Sequence, residues 1–300
     1  MDEAPQGFRS GFVAVVGRPN TGKSTLVNAL VGNKVAIVSA RPQTTRGAVR
    51  GIISAEARQV VVVDTPGYHK PRTLLGRRLN EVVRAVWSDV DLVLFVVDGR
   101  AGVGTGDARV AADLDGVPCP IFCVVNKIDL LGPPAIAGAL VGVSTLRDFA
   151  EFVPVSAVEG DGVDLLRDLI LEQMPAGPMY YPPGTTTDQP PPVFVAELVR
   201  EKLLARTREE LPHSIAVTTD EMSEREDGLL LIHATVYVER DSQKAIVIGR
   251  RGQVLKQVGT EAREEIETLF GHRVFIELRV KVFKDWQRRP DALERLGFTT

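Results

Sequence analysis

The sequence predicts a large α/β domain, with a mostly parallel sheet and helices on both faces, followed by a smaller α+β domain. Short apolar runs alternate with helical stretches in the first part of the chain, and a segment rich in Pro, Gly and Thr follows at residues 175–192. After that segment the elements come in a different order. Strands that are apolar along their whole length and separated by helices are typical of a parallel sheet covered on both sides. The length of 300 residues allows each domain a core of its own.

The strands of the first domain, assigned to residues 1–177, are predicted from short runs rich in Val, Ile, Leu and Phe. These runs occupy residues 12–16, 48–53, 59–64, 92–98, 121–126 and 152–155. The second and third are joined by a tight turn, and helical stretches separate the others. Polar motifs follow several of these strands, at the edge where open α/β sheets bind ligands.

Composition favours a cytoplasmic protein. Hydrophobic residues make up 44% and charged residues 25% of the chain, as is usual for a soluble globular protein. No apolar run approaches the ~20 residues that span a bilayer, and the first residues lack the features of a secretory signal. Cys119 and Cys123 are expected to be reduced packing residues. The net charge of -3 neither favours nor excludes nucleic acid as a partner.

The first motif, Gly-x-x-x-x-Gly-Lys-Ser at residues 17–24, lies between a predicted strand and a helix predicted at 24–30. In that context it predicts a phosphate-binding loop, whose backbone N–H groups surround phosphate oxygens at the positive end of the helix dipole. Lys23 is predicted to bridge the β- and γ-phosphates, and the Ser24 hydroxyl is predicted to bind Mg²⁺. A glycine-rich turn without a ligand is the alternative. The predicted nucleotide contacts of this loop are Gly17, Asn20, Thr21, Gly22, Lys23, Ser24 and Thr25.

Two further segments are predicted to complete the metal site and to sense the γ-phosphate. Asp64, which ends a strand in Asp-Thr-Pro-Gly, is the expected carboxylate of the Mg²⁺ shell, and the Gly67 N–H is expected to meet the γ-phosphate. The polar segment 42–46 offers a threonine hydroxyl to the same ion, with Thr45 slightly favoured over Thr44. Taken alone, each segment could be an ordinary turn or surface loop.

The tetrapeptide Asn-Lys-Ile-Asp at residues 126–129 follows an apolar strand and predicts recognition of guanine. The Asp129 carboxylate can accept two N–H bonds from the guanine edge, whereas adenine presents a mismatched edge. Lys127 is expected along the ring and ribose. The predicted contacts on the base side are Asn126, Lys127, Asp129, Ser156 and Ala157. The predicted catalytic residues of the whole site are Lys23, Asn20, Thr45 and Gly67.

A Pro-rich linker, assigned to residues 178–192, leads to a second domain at 193–300. Its order is helix, strand, strand, helix, helix, strand, predicted at residues 194–210, 214–219, 229–239, up to 248, 253–270 and 273–283. This is the order of a type II KH fold, in which Gly-Arg-Arg-Gly at 249–252 would form the Gly-x-x-Gly loop. Loops of this kind clamp the backbone of single-stranded nucleotides.

Local charge favours RNA binding by this loop over a plain turn between helices. Residues 242–260 contain four basic side chains and no acidic one. A second basic cluster at 279–289 encloses Trp286, which would either stack on unpaired bases or pack inside the domain. The predicted RNA contacts are Gly249, Arg250, Arg251, Gly252, Lys256, Lys281 and Trp286. The alternative is a second domain that binds another RNA or a protein.

Together these motifs resemble the Era family of GTPases over nearly the whole chain. The shared patterns are Gly-Arg-Pro-Asn-x-Gly-Lys-Ser-Thr-Leu-x-Asn, Gln-Thr-Thr-Arg, Asp-Thr-Pro-Gly, Asn-Lys-x-Asp and the segments 200–203, 210–214, 280–286 and 296–298. The resemblance implies a P-loop GTPase domain joined to a KH domain that binds small-subunit ribosomal RNA near its 3′ end during assembly of the small ribosomal subunit. It also implies a monomer in the cytoplasm with peripheral association at the inner face of the cell membrane, although no amphipathic anchor is visible in the sequence.

The chain departs from the general GTPase pattern directly after Asp-x-x-Gly. Ras-type enzymes place a water-orienting Gln there, whereas this chain has Tyr68. In the relatives that the chain resembles, an Asn at the position of Asn20 helps to hold a K⁺ ion that stands in for an arginine finger. A turn-forming role for Asn20 is the alternative. Residues 190–192 are also denser in proline than the family implies, which leaves the relative placement of the domains open.

Overall fold

A six-stranded sheet forms the centre of the first domain in the computed structural model, which describes residues 7–41, 44–68, 71, 73–87, 89–207 and 211–298, without the side chains of Pro212 and His213. The strands are β1 (Arg9–Val16), β2 (Val49–Ala55), β3 (Arg58–Asp64), β4 (Leu92–Asp98), β5 (Ile121–Asn126) and β6 (Glu151–Val155). Their order is β2-β3-β1-β4-β5-β6, and each neighbouring pair is parallel except β2 with β3. The predicted mostly parallel sheet is confirmed.

Helices cover both faces of this sheet. They are α1 (Lys23–Val31), α2 (Leu74–Trp87), α3 (Thr105–Asp113), α4 (Pro133–Ser144) and α5 (Val163–Gln173). One apolar cluster joins α1 and α5 to the sheet through Leu26 and Leu166, and a second joins α2 and α4 to the opposite face through Val83 and Val143. Strand residues between the two layers, such as Phe95, have no exposed surface. This burial on both faces explains why the strands are apolar along their length.

The proline-rich linker lies along the edge strand of the first domain. The Ile52 N–H donates to the Thr186 carbonyl at 2.8 Å, and the Thr187 hydroxyl donates to the Arg50 carbonyl at 2.8 Å. The linker runs antiparallel to β2 at this point. These bonds satisfy part of the outer edge of β2, which would otherwise be open to pairing with another chain.

The second domain has a three-stranded sheet with the predicted order of elements. Its strands are β7 (Ala216–Glu224), β8 (Leu229–Val238) and β9 (Arg273–Val282), and its helices are α6 (Pro191–Arg206), α7 (Asp241–Ile248), α8 (Gln253–Phe270) and α9 (Pro290–Arg295). β8 pairs with β7 antiparallel and with β9 parallel. Val258, Ala262 and Ile266, which recur every fourth residue on α8, have no exposed surface and form a stripe that faces the core.

Helix α6 begins earlier than the sequence predicts. It starts at Pro191 rather than at residue 194, and it therefore includes the last prolines of the assigned linker. Proline suits the first turn of a helix because that turn needs no intrahelical N–H bond and because the ring fixes a helical φ. The helix ends at Arg206. Its predicted end, Glu210, lies outside the described residues.

Strand β7 extends further than predicted. It runs from Ala216 to Glu224, and its polar second half pairs with β8 after an irregularity between Thr219 and Glu221. This part of the strand is held by backbone pairing and by Met222, which packs against the domain core. A single apolar residue among polar ones gives no alternating pattern, so the sequence does not reveal it. Among the described residues, every helix is too short or too polar to cross a membrane.

The two domains share a packed interface. Leu75 and Leu79 of α2 form an apolar cluster with Leu293 and Leu296 near the end of the chain. Ile37, which lies between α1 and β2, joins the core of the second domain. Both first-domain segments adjoin the predicted nucleotide site. In the GTPases that the sequence resembles, segments at these positions respond to the nucleotide.

Candidate functional site

The phosphate-binding loop lies between β1 and α1, as predicted. Gly22 precedes the helix with φ 91°, and a Cβ there would come within 2.3 Å of the Asn126 side-chain nitrogen. The backbone conformation and this close approach both favour glycine. Lys23 Nζ donates to the Gly17 carbonyl at 3.2 Å and to the Arg18 carbonyl at 2.9 Å, so its ammonium group lies over the loop.

Lys23 is almost completely buried, with 6% of its surface exposed. Burial lowers the pKa of its ammonium group to about 8, and the nearby Asp64 opposes part of that decrease. Lost hydration makes the charged form costly unless an anion lies close by. A phosphate group in the loop would supply that negative charge.

The three side chains predicted to serve Mg²⁺ converge at one point. Ser24 Oγ donates to Asp64 Oδ2 at 2.6 Å, and Thr45 Oγ1 donates to the same oxygen at 2.9 Å. The two hydroxyl oxygens are 2.9 Å apart. Hydroxyl and carboxylate oxygens are the hard ligands that Mg²⁺ prefers.

The carboxyl group in this cluster has the properties expected beside a bound cation. Asp64 has no exposed surface, and its Oδ1 has no hydrogen-bond partner among the described residues. Burial raises the pKa of this carboxyl, and the hydrogen bond from Ser24 opposes part of the increase. A buried carboxylate oxygen without a partner, beside two hydroxyls, fits a cation-binding site.

The neighbouring threonine points away from the cluster. The Thr44 hydroxyl donates to the Arg41 carbonyl at 2.7 Å, whereas Thr45 is 7% exposed and faces the carboxylate. This geometry favours Thr45 as the metal-binding threonine. Pro42 and Gln43, which belong to the same predicted segment, lie outside the described residues.

The residues predicted to recognise guanine lie on loops that contact the phosphate loop. Asp129 is exposed after β5, and its Oδ1 accepts a hydrogen bond from the Ser156 hydroxyl at 2.7 Å. Lys127 donates to the Asn20 carbonyl at 2.8 Å and to Asp98 Oδ2 at 2.6 Å. The sequence analysis misses Asp98. Its position at the end of β4, next to the strand that leads to Lys127, could have indicated a site residue, because open α/β sheets bind ligands at the carboxyl ends of their strands.

The Asn126 side chain forms hydrogen bonds with three loops, which contain Thr21, Lys127 and Ala157. Its side-chain nitrogen donates to the Thr21 carbonyl at 2.9 Å. Its oxygen accepts hydrogen bonds from the Lys127 amide at 2.8 Å and the Ala157 amide at 3.1 Å. The residue is 2% exposed. These bonds hold the phosphate loop and the two base loops together, and the nucleotide contact that the sequence predicts for this residue stays a prediction.

The loop after β3 divides into a part beside the nucleotide site and a part inside the core. A Cβ on Gly67 would lie 2.7 Å from Pro19 Cα, so the close approach of the two loops requires glycine. Tyr68 is 2% exposed, its ring centre lies 5.5 Å from that of Trp87, and its hydroxyl accepts a hydrogen bond from Arg84 at 2.7 Å. This packing agrees with the expectation that Tyr68 does not orient the attacking water.

The remaining predicted contacts of the phosphate loop are also at the site. Asn20 is exposed, has φ 66°, and donates its side-chain amide to the Ala40 carbonyl at 3.1 Å. The Thr21 hydroxyl donates to the Arg18 carbonyl at 3.1 Å. Thr25 is half-buried in the first turn of α1. Asn tolerates the left-handed backbone of position 20 better than most residues do.

The Gly-x-x-Gly loop joins α7 to α8, as predicted. Gly249, Arg251 and Gly252 have φ values of 75°, 52° and 76°. A Cβ on Gly249 would lie 2.4 Å from Val254 Cγ2. Arg250 and Arg251 are both exposed. The loop therefore presents two guanidinium groups on a backbone whose ends favour glycine.

A groove of about 440 Å³ runs from this loop between α8 and β9. Lys256, Arg263 and Phe275 line it, and Phe275 is 51% exposed. Lys281 is exposed further along β9. Basic side chains beside an exposed aromatic ring are typical of single-strand binding surfaces. The sequence prediction includes Lys256 but misses Phe275. The Phe275 side chain points outward from β9, and its exposure, which is unusual for an apolar residue, becomes visible only in the structure.

Trp286 does not belong to an RNA-binding surface. Its side chain has no exposed surface, and its Nε1 donates to the Ser214 carbonyl at 3.1 Å. Its ring stacks on Phe298 with the centres 5.7 Å apart, and the Arg46 guanidinium lies 5.6 Å from the ring centre. The prediction of base stacking is wrong, and the alternative of a packed tryptophan is correct, because the ring fills the interface between the domains.

Comparison with known protein families assigns both parts of the chain. Residues 12–127 match a family described as 50S ribosome-binding GTPase, and residues 210–287 match the KH domain family. The first match contains the phosphate loop and the predicted metal-binding cluster, and the second contains the Gly-x-x-Gly loop. The protein is therefore a GTPase with a KH domain.

The chain is also similar to known proteins over almost its full length. It is 53% identical over 297 residues to the GTPase Era of Mycobacterium tuberculosis strain H37Rv, covering 97% of this chain and 99% of that protein. A crystal structure of Era in complex with MgGDPNP and nucleotides 1506–1542 of 16S ribosomal RNA is 36% identical, with a TM-score of 0.94 over 98% of this chain and 100% of that chain. The same values hold for a variant of Aquifex aeolicus Era bound to GDP.AlF4-. On these sequence and structural similarities, this chain belongs to the Era family of GTPases.

Proposed function

We propose that this protein is a GTP-hydrolysing switch that binds small-subunit ribosomal RNA through its KH domain and assists assembly of the small ribosomal subunit. One observation carries the proposal: a relative of 36% identity and TM-score 0.94 binds MgGDPNP and a 16S rRNA fragment in a single complex. This chain has a phosphate loop, a cluster of metal-binding oxygens and an exposed Gly-x-x-Gly loop on the same two-domain fold.

In the nucleotide site, the loop amides and Lys23 hold the phosphates, and bound Mg²⁺ neutralises charge on their oxygens. The hydroxyls of Ser24 and Thr45 are ligands for that ion, and Asp64 accepts hydrogen bonds from its water shell. The Gly67 N–H meets the γ-phosphate. Loss of that phosphate releases the segments that carry Thr45 and Gly67, which is the switch.

On the base side, Asp129 accepts the two N–H bonds of the guanine edge. Lys127 lies along the ring and ribose, and the backbone of Ser156 and Ala157 closes over the base. Asn126 holds these loops against the phosphate loop, so that the base and the phosphates are recognised by one connected unit.

Asn20 helps to hold a K⁺ ion beside the phosphates in this proposal, because Tyr68 is packed into the core and some other group must assist hydrolysis. GTP turnover should then be about tenfold faster, or more, in K⁺ than in Na⁺. Asn20→Ala should remove this difference while GTP binding is kept. Steady-state phosphate release in the two salts measures it, and equal rates for the unaltered protein would contradict the role of Asn20.

Cytoplasmic location as a monomer is part of the same proposal. Most apolar residues of α6 and of the last helix, such as Leu198 and Leu293, are buried within the chain, whereas Val193 of α6 is exposed. This burial supports a monomer. Peripheral association with the inner face of the cell membrane is what the family resemblance implies, and co-sedimentation with lipid vesicles tests it directly.

The competing function is a GTPase whose second domain binds another RNA or a protein. Crosslinking the protein to cellular RNA and sequencing the adducts separates the two. The proposal predicts adducts concentrated near the 3′ end of the small-subunit ribosomal RNA. Adducts concentrated on other RNAs would favour the competing function. So would efficient crosslinking to a protein without any RNA adducts.

A further inference from the structure

The segment between α1 and β2, which carries the metal-binding threonine, is held by the second domain at several points. Lys34 Nζ donates to Glu201 Oε2 at 2.6 Å, and the Val38 amide donates to Glu201 Oε1 at 2.7 Å. Arg41 donates to the Thr207 carbonyl at 3.0 Å. The acceptors lie on α6 or directly after it. The path of this segment therefore depends on where α6 lies.

Arg200 of α6 makes the contact next to the metal-binding cluster. Its guanidinium donates to the Thr44 carbonyl, and it forms a two-point ion pair with Glu197 one turn earlier on the same helix. The residue is 1% exposed. A buried guanidinium gripped by a carboxylate in this way has little freedom to move, so it fixes the position of the carbonyl that it binds.

The Thr44 carbonyl belongs to the same planar peptide group as the Thr45 nitrogen. Fixing that plane limits where the Thr45 side chain can point. Here it points to Asp64 Oδ2, at 2.9 Å, and not to solvent. One hydrogen bond from the second domain thus acts on the geometry of the nucleotide site.

We propose that Arg200 is a positioning residue for GTP hydrolysis, which acts from the second domain by holding the Thr44 carbonyl so that the Thr45 hydroxyl stays beside Ser24 and Asp64. The inference rests on the proposed role of Thr45 as a ligand of the ion that accompanies GTP. The inference also connects the two domains. A shift of α6 releases Thr45, and by reciprocity a nucleotide that orders Thr45 favours the position of α6 in which Arg200 binds the Thr44 carbonyl.

Arg200→Met tests the proposal because it removes the guanidinium and keeps much of the side-chain length. Thr45 meets the ion only when the γ-phosphate is present. Affinity for a non-hydrolysable GTP analogue with Mg²⁺ should therefore fall about tenfold, the loss of one charge-assisted hydrogen bond, while GDP affinity stays the same. In the nucleotide-free protein, the peptide that contains Thr44 and Thr45 should exchange its amide hydrogens faster.

Arg206→Met is the matched control. It makes the same change on the same helix, but Arg206 pairs with Glu261 inside the second domain. It should leave both nucleotide affinities and the exchange rate of the Thr44 peptide unchanged. Thr45→Ala should lower the analogue affinity by a similar factor, and its combination with Arg200→Met should add little, because both act on one interaction.

The outcomes separate this inference from the proposed metal role. If Thr45→Ala lowers analogue affinity and Arg200→Met does not, or lowers GDP affinity equally, the positioning role is overturned while the role of Thr45 stands. If Thr45→Ala leaves the analogue affinity unchanged, both the metal role of Thr45 and the positioning role of Arg200 are overturned. Should Arg200→Met fail to fold, Arg200→Lys keeps the charge but cannot form the two-point pair with Glu197 that holds the donor in place against the Thr44 carbonyl. An unchanged ratio of analogue to GDP affinity in that folded variant would overturn the inference.

Discussion

Replacing Asp129 with asparagine should lower GTP affinity about a hundredfold and improve the binding of xanthosine triphosphate. The carboxylate accepts two N–H bonds, each worth about 1.5–3 kcal/mol with a charged acceptor, whereas an amide nitrogen in its place faces the same donors. Xanthine carries a carbonyl at the 2-position, to which an asparagine can donate. Titration with fluorescent nucleotides measures both affinities. Unchanged GTP affinity would show that residues 126–129 do not select the base.

The hydrogen bond from Ser156 provides a control for this substitution. Its hydroxyl donates to Asp129 Oδ1 at 2.7 Å, so the asparagine oxygen can keep that bond and direct its nitrogen toward the base. Ser156→Ala in the Asp129→Asn background should therefore reduce the gain for xanthosine triphosphate. Because Asp129 is exposed, thermal stability should change little, and a large fall in Tm would point to a folding defect instead.

Replacing Arg250 and Arg251 with aspartate should abolish tight RNA binding while GTP hydrolysis and folding persist. Each phosphate contact contributes about 0.7 to the log–log salt slope of single-strand binding, so two contacts are worth about 25-fold at 0.1 M salt, and the new negative charges add repulsion. Both arginines are exposed, and aspartate tolerates the left-handed backbone at position 251. Binding of a small-subunit rRNA fragment, measured across salt concentrations, gives the affinity and the slope.

A charge-matched control excludes a general electrostatic effect. Arg109→Asp combined with Arg225→Asp changes the net charge equally at two exposed positions remote from the Gly-x-x-Gly loop in sequence. This variant should keep most of its RNA affinity at physiological salt. Equal loss of affinity in the two double variants, or tight binding by a folded Arg250 and Arg251 variant, would show that the loop is an ordinary turn.

The parts of the site that the sequence predicts well are those whose chemistry is contained in a few consecutive residues. The phosphate loop requires glycines, a lysine and a hydroxyl at fixed spacing. The structure places the glycines between β1 and α1 and the lysine and the serine at the start of α1. The apolar runs of the first domain likewise predict its strands. Because these strands are buried on both faces, each appears in the sequence as a nearly continuous apolar run.

Contacts between distant segments could not be predicted in this way. Asp98 meets Lys127 because β4 and β5 are neighbours in the sheet, and Arg200 meets Thr44 because α6 packs against the first domain. Trp286 shows the same limit. Its basic neighbours in sequence suggest an RNA surface, but the direction of the side chain is set by Phe298 and Ser214, which lie elsewhere in the chain.

We propose that the domain interface couples nucleotide binding to RNA binding. The segment that carries Thr45 contacts α6, and α2, which follows Gly67, packs against the last helix through Leu75 and Leu79. A GTPase reorders both of these segments when the γ-phosphate is lost. The second domain should therefore sense the nucleotide through the contacts that hold it in place.

RNA affinity in the two nucleotide states tests this coupling most directly. The full-length protein, loaded with Mg²⁺ and either a non-hydrolysable GTP analogue or GDP, is titrated with one RNA that carries the 3′ end of the small-subunit rRNA, at a fixed salt concentration. The analogue-bound protein should bind about fivefold more tightly, or better, than the GDP-bound protein. Equal affinities in the two states would contradict the claim that the GTPase domain controls RNA binding.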